Sequence, residues 1–376
     1  MAATAPPAPA AARYSVALIG LGNVAEPHLL AYASLPSIEI VGVVEPRPAR
    51  RGLICEMYHV AGFATADELL RDVHPDIACI LTPAATHRAL TEQFAKAGVN
   101  ILCEKPMAVA LSDAEAMATA CREQGVEFFY GSSYRYLPAI RKARDLILNG
   151  AIGSVRCLME TVIAGAGATA FRPLSAEHYP TGGPGGGPMG LVDHGIHLLD
   201  IFPWLCGSPI NNVCGRGDYS GSPALPEFTI MSMKSGALGF LTYDGSTWSV
   251  ALPWEGSFSQ ARQWVDGRGW IGELGGWEPA AASLSVYGSL GALRIFHYAN
   301  RLFLTNTMGC QEVPLETGAA PQHFGSQLLD FCNALTAGQP PPTRASDGIR
   351  ALRALTAVYA SERTGQWQTV EPSEGS

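Results

Sequence analysis

Apolar positions over residues 14–135 gather into short runs separated by stretches with helical spacing. The runs YSVALIG (14–20), IEIVGVVE (38–45), DIACILTP (76–83), NILCEKP (100–106) and VEFFYGSS (126–133) have strand length. Between them, segments such as 67–73 and 112–124 repeat apolar residues at helical intervals. Runs without strict alternation suit strands buried on both faces, and their alternation with helices predicts a parallel, doubly wound sheet. The style changes after about residue 150. Strand-like runs at 155–163, 228–233, 237–243, 283–287, 292–296 and 301–304 lie close together, punctuated by Gly, Ser and Asn. That pattern predicts an antiparallel sheet. One helix, over about 189–205, interrupts it, and helical spacing returns at 322–335 and 346–364. The last has Asp347 near its start and Gly365 just past its end, sensible start and stop chemistry. The expected class is α/β: a nucleotide-type domain over 14–135, then an α+β domain over 136–376 with a large open, mainly antiparallel sheet. Residues 1–13, rich in Ala and Pro, read as a disordered leader without the charged and apolar regions of a signal peptide.

Composition narrows the classes. A chain of 376 residues suggests two domains, and 47% hydrophobic against 15% charged residues excludes general disorder. The net charge is −8 without any basic block, which argues against a nucleic acid or an anionic membrane as partner. No apolar stretch is long enough to predict a spanning helix. The nine cysteines are scattered without a CxxC pair, the pattern of reduced thiols in the cytoplasm and not of a structural zinc site.

Gly20-Leu21-Gly22-Asn23-Val24-Ala25 follows the first strand directly. In a GxGxxA turn the first Gly permits the tight bend. The second lets backbone approach a pyrophosphate, and the small third residue lets helix pack on strand. Glu45, at the end of the second strand, follows Ala25 by 20 residues, about the spacing of a carboxylate that holds the adenosine ribose. A carboxylate there repels a 2′-phosphate, so NAD is expected, with NADP as the alternative because Arg47, Arg50 and Arg51 follow closely. Thr82-Pro83 ends the strand IACIL, on the edge where open α/β sheets bind ligands. His87 lies four residues on and reads either as a cofactor contact or as a helix-surface histidine.

Two further groups carry chemistry. In Glu104-Lys105-Pro106 a lysine stands at the ligand edge of the sheet, able to hydrogen-bond a substrate hydroxyl and lower its pKa. The alternative is an ordinary strand-end charge. In the helix beginning at Gly190, Asp193 and His197 are spaced i, i+4 on one face, with Asp200 three residues further. A histidine near an alcohol is suited to take its proton, and an aspartate one turn away can orient it. A structural histidine and a metal site compete. His194 points about 100° away from Asp193, and no HExxH-type partner exists, so no metal is expected. TGGPGGGP (181–188) lacks the Lys-Ser/Thr of a phosphate loop and reads as a mobile segment beside the His197 helix. Trp248, Trp254, Trp264, Trp270 and Trp277 are five of the seven tryptophans, read as interface or packing groups ahead of sugar-stacking ones.

Together these pieces resemble the glucose–fructose oxidoreductase / inositol 2-dehydrogenase family (Gfo/Idh/MocA). The resemblance rests on GLGNVA, VVE, TPAATH, EKP, SSYRYLPAIRKARDLILNGAIGSV and GGGPMGLVDHGIHLLDIFPWLCG, and continues to about residue 370. It implies a Rossmann domain, NAD(P), and a sugar, cyclitol or related small molecule oxidised or reduced at a ring carbon. It also implies an open sheet that mediates a homodimer or homotetramer. Lys105, Asp193 and His197 match the family's catalytic residues. Tyr134 and Arg135 match its substrate-side segment, and Gly20, Gly22, Asn23, Val24, Glu45, Arg50, Thr82, Pro83, His87, Glu104 and Lys105 are the expected cofactor contacts. Ala84 departs from the family's usual Asn, and the Trp-rich stretch 248–277 does not align. In the expected reaction a hydride passes from carbinol carbon to nicotinamide while His197 takes the hydroxyl proton. Lys105 stabilises the oxygen, and Asp193 orients substrate and His197. An NAD-assisted glycosidase and a non-catalytic nucleotide sensor are the alternatives.

Overall fold

The computed structural model describes residues 13–163, 175–182, 190–217, 226–244 and 281–370, the last without 298 and 316–321, together with four short strands between 257 and 278. The leader 1–12, residues 183–188 of the Gly-rich segment, Trp248 and Trp254 lie outside the described residues.

The first layer alternates strand and helix: β1 (Tyr14–Ile19), α1 (Ala25–Ala33), β2 (Ile38–Val44), α2 (Pro48–Tyr58), β3 (Gly62–Phe63), α3 (Ala66–Asp72), β4 (Ile77–Ile80), α4 (His87–Lys96), β5 (Asn100–Glu104), α5 (Leu111–Gln124) and β6 (Phe128–Gly131). The six strands pair in parallel in the order β3-β2-β1-β4-β5-β6. Val16, Leu18, Ile77, Ala78, Ile101 and Leu102 have no exposed surface, as strands covered on both faces require. Chain order reverses between β1 and β4, so a crevice opens beyond their carboxyl ends. The two-residue strand β3 escapes the sequence pattern because Gly62 and Phe63 form no run.

After α6 (Pro138–Leu148) come β7 (Val155–Ile163), α7 (Gly190–Cys206), β8 (Ile210–Arg216), β9 (Glu227–Met233) and β10 (Leu238–Asp244). Two small separate pairs follow, β11 (Ser257–Phe258) with β14 (Trp277–Glu278) and β12 (Gln263–Val265) with β13 (Gly269–Ile271). The latter puts Trp264 and Trp270 at paired backbone positions. Then come β15 (Ala281–Gly288), β16 (Gly291–Phe296), β17 (Arg301–Asn306), β18 (Gly309–Glu312), helices α8 (Gln322–Ala337) and α9 (Ala345–Thr364), and β19 (Gln368–Thr369). Nine strands join in the order β18-β17-β16-β15-β7-β10-β9-β8-β19. All neighbours are antiparallel except β7 and β10, which run parallel at the centre.

This sheet has one covered and one open face. On β7, Leu158 and Glu160 are buried while Met159 and Thr161 are exposed. Met159, Phe228, Leu238 and Tyr287 share the open face and are each more than a third exposed. Helices α8 and α9, although last in the chain, return to the first layer. Phe324 lies 4.2 Å from the His28 ring of α1, and Thr336 shares a 2.8 Å hydrogen bond with Tyr14 of β1. Thr343 donates to the Tyr130 carbonyl of β6, and Arg353 pairs with Glu115 of α5. Asp347 accepts the Arg344 amide at the start of α9, and Gly365, at φ +65°, ends it in the left-handed region.

Candidate active site

The turn between β1 and α1 is shaped by two glycines. Gly20 has φ +92°, and a Cβ there would stand 2.7 Å from the Thr82 side chain, so only Gly lets this turn meet the end of β4. At Gly22 a Cβ would meet nothing within 4 Å: the space above the turn is open, as a phosphate approaching backbone requires. Asn23 and Val24 lead into α1, where Val24 caps the helix without a side-chain bond. Glu45 closes β2 with almost no exposed surface. One of its carboxylate oxygens accepts the Leu21 amide at 3.2 Å, and Arg47 binds both oxygens at 2.7 and 3.0 Å. Burial works against the Glu45 charge, but Arg47 and the Leu21 amide bring the carboxyl below its ordinary range. Arg50 reaches the Leu21 carbonyl at 3.4 Å, and Arg51 holds the Glu45 carbonyl. Turn, carboxylate and open space fit a dinucleotide.

Thr82, just past β4, lies against Gly20 of this turn, and Pro83 follows it. His87 is buried behind them, its two ring nitrogens facing the carbonyls of Thr82 at 2.8 Å and Met107 at 3.1 Å. It ties the end of β4 to the turn after β5, and burial lowers its pKa. Ala84 offers no side-chain hydrogen bond, yet the loop is held otherwise. The Thr86 hydroxyl donates to Thr82 at 2.7 Å, and the Ala85 amide donates to the Glu177 carbonyl.

Glu104, the last residue of β5, is buried. It accepts the Lys105 amide at 3.0 Å on one oxygen and pairs with His28 at 3.1 Å on the other. It therefore fixes the turn that aims Lys105, whose bond to Pro106 is cis. The Lys105 ammonium donates to Asp193 Oδ1 and to the Asp193 carbonyl, each at 2.9 Å. Tyr179 donates to the same Oδ1 at 2.8 Å. Burial raises the Asp193 carboxyl, but Lys105 and Tyr179 more than offset this and leave it below its ordinary range. One turn further along α7, His197 is buried and stacks on Tyr134, with ring centroids 3.7 Å apart and planes 7° from parallel. Burial first, then the charge of Lys105 and neighbouring histidines, drives His197 well below the ordinary imidazole range. It is held as a neutral base beside a cation.

Arg135 is placed differently. Its Nε donates to Asp200 at 2.8 Å, and its Nη2 donates both to Asp200 and, at 3.0 Å, to Asp347. Ser132 also donates to Asp200. Arg135 thus bolts the Tyr134 segment to α7 and α9, and Asp200 is occupied there and not beside Asp193. Replacing Arg135 with Leu leaves two buried carboxylates without it and is expected to cost about 3–5 kcal/mol of stability. Urea unfolding checks this, and a loss under about 1 kcal/mol would contradict it.

Three groups at the site carry little sequence signal. Tyr179 stands in a loop without periodicity. Glu160 and His297 look like ordinary polar positions of an antiparallel sheet, and only the strand parity of Glu160 (it shares the buried side of β7 with Leu158) hints at a buried carboxylate. Among the described residues no group of three or more His, Cys, Asp or Glu side chains is arranged to hold a metal ion.

Residues 14–132 match the model of an oxidoreductase family's NAD-binding Rossmann fold, and residues 144–371 match that of its C-terminal α/β domain (Gfo/Idh/MocA). The chain is 32% identical over 372 residues to the D-apiose dehydrogenase of Paraburkholderia graminis, covering 96% of this chain and 90% of that one. It is 27% identical over 196 residues to the D-glucoside 3-dehydrogenase of Escherichia coli, covering 52% and 54%. The crystal structure of an oxidoreductase domain protein from Kribbella flavida superposes with a TM-score of 0.78 at 22% identity, covering 96% and 100%.

Proposed function

The chain belongs to the Gfo/Idh/MocA family of NAD(P)-dependent oxidoreductases, and from that premise we propose that it is a dehydrogenase for a secondary alcohol of a sugar, a cyclitol or a related small polyol. The observation that carries this reading is the convergence of Lys105, Asp193 and His197. A cation past the end of β5 is held on the Asp193 carboxylate, one helical turn from a buried imidazole whose pKa that cation helps to lower. NAD, when bound, supplies the ring that accepts hydride. The turn from Gly20 to Val24, with Glu45, Thr82 and Pro83, would hold it, and Glu45 favours NAD over NADP by opposing a 2′-phosphate. His197 takes the hydroxyl proton on a ring nitrogen. Lys105 Nζ donates to the same oxygen as its negative charge grows, and Asp193 keeps Lys105 in place. In this reading Tyr134 belongs to the wall of the substrate site. Arg135, Glu104 and His87 position their neighbours.

The same reading makes the protein a cytoplasmic homodimer or homotetramer. All nine cysteines are free, and the open sheet face carries Met159, Phe228, Leu238 and Tyr287.

The purified protein, given NAD or NADP with D-apiose, levoglucosan, scyllo-inositol and methyl glucosides, is expected to form reduced nicotinamide with one of these groups. It is also expected to bind NAD more tightly than NADP. Release of sugar from a glycoside without net NADH would replace the dehydrogenase by a redox-assisted glycosidase. NAD binding without turnover of any polyol or keto-sugar would leave a nucleotide-sensing protein.

A further inference from the structure

Glu160 sits where the sheet calls for a hydrocarbon. On the covered face it lies between Leu241 of β10 and Leu284 of β15, each at most 1% exposed, and follows Leu158 on its own strand. A carboxylate in such a row forfeits its hydration, a cost of several kcal/mol unless charge and hydrogen bonds offset it. The offset comes from α7: His194 Nε2 stands 2.8 Å from one Glu160 oxygen. His297, just past β16, brings its Nε2 to 3.5 Å from the other. Burial presses the Glu160 carboxyl upward, but the two imidazoles pull it below its ordinary range, so it stays ionised.

An ionised carboxylate only accepts, so His194 Nε2 carries the proton that it gives to Glu160. The ring's other nitrogen, Nδ1, lies 3.2 Å from the Tyr134 hydroxyl. The Tyr134 ring is thereby held at its hydroxyl edge while its face lies flat on His197. Carboxylate, imidazole, phenol and base form one contiguous stack from the sheet to the reacting centre.

We propose that Glu160 is a positioning residue of this enzyme: through His194 it fixes Tyr134, and Tyr134 fixes the plane of His197. The proposal rests on His197 being the base of the dehydrogenase. Its role is geometric, and small displacements of a reacting group cost turnover more than binding.

The test replaces Glu160 by Gln, which keeps shape and an acceptor but removes the charge that sets the His194 proton. It is read with NAD and whichever of D-apiose, levoglucosan, scyllo-inositol and methyl glucoside the unchanged enzyme oxidises fastest. Glu160→Gln is expected to lower kcat about tenfold with KM within about threefold. The NAD dissociation constant and the melting temperature should stay near those of the parent. His194→Leu should reproduce the loss, and the double variant should lose no more than the worse single one, since both act through one chain of contacts. Turnover of Glu160→Gln within twofold of the parent overturns the proposal. So do losses that multiply in the double variant, or a joint fall of kcat, NAD binding and melting temperature. If His197 variants are also fully active, the dehydrogenase mechanism fails with it. If they are inactive while Glu160→Gln is unaffected, only the role of Glu160 fails.

Discussion

Lys105→Met is expected to lower turnover by about two to three decades, far more than it weakens NAD binding. Methionine keeps the length of the stem and removes the ammonium. That ammonium is the donor aimed at the substrate oxygen, and Asp193 fixes its position through Oδ1 and the carbonyl at 2.9 Å. The Gly20–Gly22 turn and Glu45 are untouched by the substitution, so the loss should fall chiefly on kcat. Removing Lys105 also removes a charge that depresses His197. The acid limb of kcat/KM should therefore move toward higher pH in this variant. Stopped-flow detection of NADH, with NAD binding followed by fluorescence quenching, measures both. Turnover within tenfold of the parent would rule out Lys105 as the oxygen-stabilising group.

His197→Phe is expected to cost a similar two to three decades, roughly. Phenylalanine preserves a flat ring for the stack with Tyr134 and deletes both nitrogens, so the variant separates packing from proton transfer. The sign of the pH dependence follows from the depressed imidazole. A base works unprotonated, and burial, Lys105 and the neighbouring histidines keep His197 unprotonated well below 6.5. The parent should hold its kcat/KM through neutral pH and lose it only as the pH falls through that lowered value. His197→Phe should lose this limb altogether. An unchanged acid limb in the variant, or turnover within tenfold of the parent, would assign the proton to another group.

Much of this centre is legible in the chain because its signals are local. The runs that become β1, β2, β4, β5 and β6 are continuous and apolar. The Gly20–Gly22 turn and Glu45 are read from spacing, Lys105 from its place at a strand end and Asp193 and His197 from one helix face, while the resemblance supplies their catalytic roles. What spacing does not carry is partnership across the fold. Arg135 and Asp200 read as a substrate contact and a conceivable ligand, yet they bind each other, because a buried guanidinium finds its carboxylates wherever the fold brings them. His87 sits at the ligand edge in the sequence, but its helix turns it inward onto the Thr82 and Met107 carbonyls. Tyr179 approaches Asp193 from a loop whose course no periodicity describes. The parallel pairing of β7 with β10 also lacks a local mark, since the two strands are separated by α7 and the β8–β9 pair.

The return of α8 and α9 bears on how the protein is made. Tyr14 and Thr336 share a hydrogen bond across 322 positions of chain, and Tyr130 waits for Thr343. A nascent chain therefore presents β1, α1 and α5 long before their covering helices leave the ribosome, and during that interval their apolar flanks are bare. Such distant closure slows the final step of folding and leaves a window for association with other chains. Until α8 and α9 have been made, that surface stays without its cover.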